Sequence, residues 1–247
     1  MFNRPSRHVS VGPSSGASSS DSEPTAVKAF RDGEVDAFNM DSDADFWDSY
    51  EDIRTLGRGT FAKVKEVEHV DTKERFAAKI MDKDPMNNDM DDMVREVQIL
   101  SMLRHRNVIC LYGAYETPRK LYLVTELADG GELMQLGKGV KVYAEDMAMR
   151  HTYTICDAIA YMHGVNVAHR DLKPENVLLG GPKRATIKIV DMGLSRPYDR
   201  QLMTTICGTH KYLAPELVEC DRGTLRGYDA TVDVWGVGLL AYIMLFG

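Results

Sequence analysis

The sequence lacks several features that would assign it to whole classes of protein. Its four cysteines, at positions 110, 156, 207 and 220, are far apart and form no Cys-x-x-Cys pair, which argues against a zinc knuckle or a disulfide framework. The formal net charge is −7 and no basic stripe is present. The sequence therefore predicts an intracellular protein, cytoplasmic or nuclear, that does not bind nucleic acid.

Long apolar segments are also missing. Arg4 and Arg7 are not followed by an apolar stretch, so no signal peptide is predicted. The most apolar run, residues 234–246, is shorter than the roughly 20 residues that span a bilayer. We interpret this run as a buried helix and predict no association with a membrane.

The start of the chain has little with which to build a core. Residues 1–44 are rich in Ser, Gly, Pro and Asp, and such a segment buries too little surface to offset its ordering entropy. We therefore predict a disordered Ser-rich tail over 1–44 and a folded domain over 45–247. Three aromatic residues at its start, Phe46, Trp47 and Tyr50, are expected to pack against the domain edge.

The sequence does contain a dense polar motif, His169-Arg170-Asp171-Leu172-Lys173-Pro174-Glu175-Asn176, followed by Asp191-Met192-Gly193. A carboxylate at Asp171, an amine at Lys173 and an amide at Asn176 can surround one reacting phosphoryl group. Asp191 can hold the metal ion that neutralises it. A lone Asp and Asn at this spacing would mean little, but a chance match to the whole combination is very improbable.

This motif resembles the catalytic loop of the eukaryotic protein kinases, and its Asp-x-Lys spacing resembles their serine/threonine branch. The resemblance implies an α+β, two-lobed fold. A small antiparallel β lobe with one main helix would occupy about residues 50–126, a hinge about 126–130, and a mainly α-helical, incomplete lower lobe about 131–247. It also implies ATP and Mg²⁺ as cofactors and protein or peptide substrates.

The same resemblance implies a role for each polar residue of the loop. Asp171 would accept the proton of the substrate hydroxyl, and Lys173 would steady the transferred phosphoryl oxygens. Asn176 and Asp191 would hold Mg²⁺, which prefers oxygen ligands. Met192 stands where a Phe is common, and its flexible apolar side chain is expected to fill the same gap.

Further segments resemble the nucleotide site of that family. Gly57 and Gly59 would let the backbone approach phosphates, although Ala62 stands where a third Gly is usual. Lys79 resembles the lysine that pairs the α- and β-phosphates, and Glu96, on a helix predicted over 89–103, is its natural partner. The nucleotide-binding positions implied are Leu56, Gly57, Gly59, Val64, Ala77, Lys79, Thr125, Glu126, Ala128, Glu132, Leu178 and Asp191.

The segment from Cys207 to Glu216 resembles the end of the activation segment in calcium/calmodulin-dependent and checkpoint-type kinases. Asp233 would anchor the backbone of the catalytic loop. Arg170 is expected to pair with a phosphate that an upstream kinase adds to Thr205 or, as second choice, Thr204.

Two acidic residues, Glu132 and Glu175, match carboxylates that attract arginine, so Arg three residues before the acceptor is expected to matter. Ser10 would suit autophosphorylation.

Because such domains usually contain more helices than this chain provides before Gly247, a truncated lower lobe with one exposed helix side is also expected. The alternative function is a catalytically weak kinase-fold binding or scaffold module. Small-molecule phosphotransferases share the architecture, but the activation segment favours protein substrates.

Overall fold

A computed structural model describes residues 36–59, 62–83, 90–134, 142–181, 186–198 and 202–247. The first part of the chain forms a six-stranded sheet in the order β1-β5-β6-β4-β3-β2. Strands β2 to β6 pair antiparallel, and β1 is parallel to β5. The six strands are β1 (Asp36–Asn39), β2 (Tyr50–Arg58), β3 (Ala62–His69), β4 (Arg75–Asp82), β5 (Leu111–Glu116) and β6 (Lys120–Glu126).

The N-terminal edge of this sheet corrects the predicted extent of the tail. Strand β1 and the start of helix α1 (Asp43–Ser49) lie before residue 45. The ring of Phe46 is fully buried, stacked on Tyr122 at 4.1 Å and on Tyr50 at 4.9 Å between centroids. Aromatic burial of this size offsets the ordering entropy of a short polar segment. The first 35 residues, with Ser10, lie outside the described residues.

One helix packs against the sheet and carries a predicted site residue. Helix α2 (Met90–Met102) buries Met93, Val97 and Leu100 at the spacing expected from the sequence. It begins within one residue of the predicted start, Asp89, which lies outside the described residues. The same buried side carries Glu96, so packing of the helix fixes the position of this carboxylate.

The second part of the chain is mainly helical. It contains helices α3 (Glu145–Gly164), α4 (Pro215–Asp221) and α5 (Val232–Phe246), with the short strands β7 (Gly131–Glu132), β8 (Val167–Ala168), β9 (Val177–Gly180), β10 (Thr186–Ile189) and β11 (Arg196–Pro197). Helices α3 and α5 pack against each other. Ile155, Met162, Leu240 and Met244 are fully buried in the core that they share. The two-lobed α+β architecture is therefore confirmed.

Helix α5 has one exposed side, which agrees with the expected exposed helix side and corrects the interpretation of the whole apolar run as buried. Only one of its sides faces the core, whereas Val234, Trp235, Tyr242 and Phe246 are between 46% and 67% exposed. Among the residues described, no helix combines the length and apolar character that crossing a membrane requires.

Candidate active site

The catalytic loop brings three polar side chains into mutual contact. Lys173 Nζ donates to Asp171 Oδ2 at 2.6 Å and to the hydroxyl of Thr209 at 2.9 Å. The backbone N–H and the hydroxyl of Thr209 donate to Asp171 Oδ1 at 3.1 and 3.0 Å. Thr209 therefore orients Asp171 and Lys173 together. We did not predict this role, because Thr209 is far from the loop in sequence.

The backbone of this loop is held by a buried carboxylate of helix α5. Asp233 accepts the backbone N–H groups of His169 and Arg170 at 2.8 and 2.7 Å. The predicted anchoring role of Asp233 is thus confirmed. His163 Nε2 also lies 2.8 Å from Asp233, a contact between helices α3 and α5 for which the sequence held no signal.

A second charged cluster joins the two lobes. Lys79 Nζ donates to Glu96 at 2.6 Å and to Asp191 Oδ1 at 2.9 Å. Burial lowers the pKa of Lys79, but the two carboxylates outweigh this effect and leave the pKa above its usual value. Burial raises the pKa of Asp191, yet Lys79 more than compensates, so this pKa is lowered. The predicted contact between Lys79 and Glu96 is confirmed, and both Lys79 and Asp191 are charged at neutral pH.

Two residues of the site adopt backbone conformations that side chains disfavour. Arg170 and Asp191 have φ values of +68° and +66°. Non-glycine residues rarely adopt this left-handed region, and strained backbone of this kind clusters at functional sites. Gly208 also has a positive φ, +107°, which favours glycine. A Cβ at this position would lie 3.1 Å from the Arg170 carbonyl oxygen. Close packing of the activation segment on the catalytic loop thus requires this glycine.

The predicted metal ligands have the right chemistry for Mg²⁺. Asn176 uses its amide nitrogen to donate to the Asp171 carbonyl oxygen at 2.8 Å, which leaves its amide oxygen available. The backbone N–H of Val190, next to Asp191, donates to the Asn176 carbonyl oxygen at 3.0 Å. Within the described residues, no group of three or more His, Cys, Asp or Glu side chains could hold a metal ion alone. An amide, a carboxylate and substrate phosphates suit Mg²⁺, which retains several waters.

The upper wall of the predicted nucleotide site comes from neighbouring strands. Gly57 pairs with Val64, and Val64 pairs with Lys79 across β2, β3 and β4. Ala77 pairs with Thr125, whose hydroxyl lies 3.4 Å from the Ala77 carbonyl oxygen. The other predicted positions of this wall are Leu56, partly exposed on β2, and Gly59, just after it. Thr60 and Phe61, between Gly59 and Ala62, lie outside the described residues.

The hinge and the lower wall follow directly after β6. The carboxylate of Glu126 accepts the Cys110 backbone N–H at 2.9 Å and pairs with Lys188 at 2.7 Å. Both carboxylate oxygens of Glu126 thus have partners within the protein. Ala128 lies against Gly180 of β9. In the same sheet, Leu178 pairs with Glu132 of β7.

Two of the predicted regulatory residues, Arg170 and Thr205, are linked through Tyr228 and are not directly bonded. Arg170 is buried, whereas Thr204 and Thr205 are exposed. Among the described residues, Arg170 makes no side-chain hydrogen bond to either threonine; Nη1 donates instead to the hydroxyl of Tyr228 at 2.8 Å. Tyr228 is a second participant that the sequence did not reveal.

Comparison with known proteins identifies the family. The profile of the Protein kinase domain matches residues 50–247. This chain therefore belongs to the protein kinase domain family.

Its relatives include characterised classes of kinase. Myosin light chain kinase A of Dictyostelium discoideum is 41% identical over 201 residues, which cover 80% of this chain and 66% of the relative. The calcium/calmodulin-dependent protein kinase cmkB of Emericella nidulans is 40% identical, over 80% of this chain and 49% of the relative. Probable serine/threonine-protein kinase fhkC of Dictyostelium discoideum is 40% identical, over 79% and 33% respectively. The chain thus spans between one third and two thirds of the length of these relatives.

Proposed function

We propose that this chain is an ATP- and Mg²⁺-dependent protein kinase that phosphorylates serine or threonine hydroxyls. The observation that carries the proposal is the contact set around Asp171, whose two oxygens meet Lys173 and Thr209 at 2.6 to 3.1 Å. A carboxylate fixed in this way can receive a proton while a cation beside it faces the transferred group. The names of the relatives, which include serine/threonine kinases, support the same substrate class.

Each step of the proposed reaction uses a residue with a defined position. Asp171 orients the acceptor hydroxyl and accepts its proton, and Lys173 stabilises the charge on the transferred phosphoryl group. Lys79, positioned by Glu96 at 2.6 Å, binds the remaining phosphates of ATP. Asn176 and Asp191 would hold Mg²⁺, which neutralises phosphate charge when it is bound. Positioning and charge stabilisation of this kind account for most of phosphoryl-transfer catalysis.

A transfer assay with labelled ATP and a basic serine peptide tests the function, alongside the melting shift caused by ATP with Mg²⁺. We expect both transfer and a shift, and we expect chelation of Mg²⁺ to remove transfer. A nucleotide-induced shift without transfer to any peptide would select the alternative, a binding or scaffold module.

We further propose a preference for arginine three residues before the acceptor. Glu132 and Glu175 are both exposed. Burial of the Tyr212 side chain, in the activation segment, raises the pKa of this residue, and the negative charges of Glu175 and Glu132 raise it further. Both carboxylates thus act on one place beside the catalytic loop, where they would attract a cationic side chain. A peptide array with preference for acidic or proline-directed sites would contradict this specificity.

Regulation by an upstream kinase is proposed at Thr205, with Thr204 as second choice. Both are exposed, and Arg170 carries a charge that a nearby phosphate could pair. Phosphorylated protein should be more active than phosphatase-treated protein, and the double variant Thr204→Ala, Thr205→Ala should lose this increase. An increase that persists in the double variant would refute these sites.

An intracellular location, cytoplasmic or nuclear, is also proposed. All four cysteines are free thiols, which suits a reducing compartment. Imaging of the tagged protein in cells would test this location.

A further inference from the structure

Arg170 is a buried cation whose side-chain partners are neutral. The residue is 5% exposed; its Nε donates to the Leu194 carbonyl oxygen at 2.8 Å and its Nη1 to the Tyr228 hydroxyl at 2.8 Å. No carboxylate of the described residues forms an ion pair with this guanidinium. A buried charge needs hydrogen-bond partners to offset desolvation, so these two contacts fix where Arg170 can lie.

Tyr228 connects Arg170 to the activation segment. Its hydroxyl donates to the Thr205 carbonyl oxygen at 2.5 Å. Its backbone N–H and C=O pair with those of Met203 at 2.9 and 2.8 Å. Burial raises the pKa of the Tyr228 phenol to about 12, so the hydroxyl is protonated at neutral pH and can donate to Thr205 while it accepts from Arg170.

The position of Thr205 affects Asp171 through a short stretch of chain. Four residues after Thr205, Thr209 donates twice to Asp171. Between them, Gly208 packs on the Arg170 carbonyl oxygen, where an added Cβ would lie at 3.1 Å. A displacement of Thr205 would therefore disturb the contacts that orient Asp171.

We propose that Tyr228 is a positioning residue: its hydroxyl joins Arg170 to Thr205 and so orders the activation segment before any phosphorylation. The inference rests on the proposed kinase function. A phosphate on Thr205 would strengthen this arrangement by supplying a negative charge, but it would not be needed to create it. The enzyme should therefore have a basal activity that depends on Tyr228 and a higher activity that depends on the phosphate.

Packing of the aromatic ring offers a simpler role for Tyr228, and one substitution separates the two roles. The ring lies in an apolar cluster with Ala214, Leu217 and Val232. Tyr228→Phe keeps the ring and removes only the hydroxyl. Tyr161→Phe is the matched control, because the Tyr161 hydroxyl also accepts a hydrogen bond, from the Arg104 backbone N–H at 2.7 Å, but has no hydrogen bond to the described residues of the activation segment.

The experiment uses phosphatase-treated protein and measures peptide transfer together with hydrogen exchange over residues 202–209. For Tyr228→Phe we expect kcat to fall by about tenfold or more, because a hydrogen bond to a charged group is lost, and exchange over 202–209 to become faster. The melting shift caused by ATP should stay unchanged. Phosphorylation of Thr205 should restore most of the lost rate. Tyr161→Phe should match the parent in every measurement.

Equal kcat and equal exchange in Tyr228→Phe and the parent would overturn the proposal. If the parent itself transfers no phosphate, the proposed function fails, but exchange over 202–209 still tests the positioning role. If Tyr228→Phe does not fold, Arg170→Lys serves as second variant. A lysine cannot reach both Leu194 and Tyr228, so this variant should also show faster exchange, and unchanged exchange would contradict the inference.

Discussion

The two halves of the active site differ in the partners of their cations. In the nucleotide half, one cation, Lys79, lies within 2.6 and 2.9 Å of two carboxylates, Glu96 and Asp191. In the activation half, the Arg170 side chain donates to two neutral groups of the described residues, the Leu194 carbonyl oxygen and the Tyr228 hydroxyl. In the first half two carboxylates share one cation, whereas in the second the Arg170 guanidinium has no carboxylate partner among the described residues, although the Asp233 carboxylate accepts the Arg170 backbone N–H at 2.7 Å.

This difference teaches what each half is suited to receive. Excess negative charge between the lobes suits a divalent cation that arrives with ATP. An unpaired guanidinium under the activation segment suits a phosphate group. The first ligand is needed in every catalytic cycle, whereas the second would only adjust the rate. Substitutions in the two halves should therefore differ in the size and the kind of their effects.

Among substitutions that distinguish the two halves, the largest effect is expected from Asp191→Ala in the nucleotide half. This variant removes the carboxylate proposed to hold Mg²⁺ and leaves Lys79 with one partner fewer. Transfer should fall by about 10²–10³-fold or more, and the melting shift caused by ATP with Mg²⁺ should shrink. The exposed Asp48→Ala on helix α1 is the control. Near-parent transfer by Asp191→Ala would show that Asp191 is not the metal ligand.

A smaller but clear effect is expected from Glu96→Gln. Glu96 is buried, and breaking one partner of a buried ion pair typically costs about 3–5 kcal/mol of unfolding free energy. The loss should lie below that range, because Lys79 keeps Asp191 as a partner and is itself partly exposed. Chemical denaturation measures the stability, and the KM for ATP should rise as Lys79 loses its fixed position. An unchanged KM would mean that Glu96 does not position Lys79 for ATP.

An effect on peptide binding alone is expected from Glu175→Gln. The carboxylate is exposed, so each lost attraction to a substrate arginine should raise the peptide KM only by about fivefold or less. The KM of a peptide without that arginine should stay unchanged, as should kcat. An equal rise for both peptides would assign Glu175 to general positioning instead of arginine recognition.

The smallest effect is expected where the two halves are linked at the surface. Arg196 of β11 donates to Asp92 at 2.9 Å, one helical turn before Glu96 on α2. Because both side chains are partly exposed, their coupling should be only about 0.2–1 kcal/mol. A double-mutant cycle of Asp92→Asn and Arg196→Gln, read by chemical denaturation, measures it. A coupling of several kcal/mol would mean that this pair is a main support of α2.

Much of the site was predictable because its chemistry lies in short local patterns. The spacing of Asp171, Lys173 and Asn176 within one loop predicted a phosphoryl-transfer site, and the structure brings these side chains together. The family resemblance also predicted the contact between Glu96 and Lys79, and helical spacing agrees with it by placing Glu96 with the core residues. In these places a local pattern and the global fold agree.

The residues that sequence reasoning missed contribute through long-range contacts. Thr209, Tyr228 and His163 act on partners from distant parts of the chain, and no spacing rule connects them. The tail boundary was wrong for a related reason: β1 is stabilised by pairing with β5, far along the chain, and its own composition gives no sign of this.

The most direct test of the central claim measures phosphoryl transfer to a serine peptide by the parent and by Asp171→Asn at saturating ATP and Mg²⁺. The Asn side chain has nearly the same shape but cannot accept the proton, so transfer should fall by about 10²–10⁴-fold, while the nucleotide-induced melting shift stays close to that of the parent. Transfer by Asp171→Asn at the rate of the parent would contradict the assignment of Asp171 as the catalytic base.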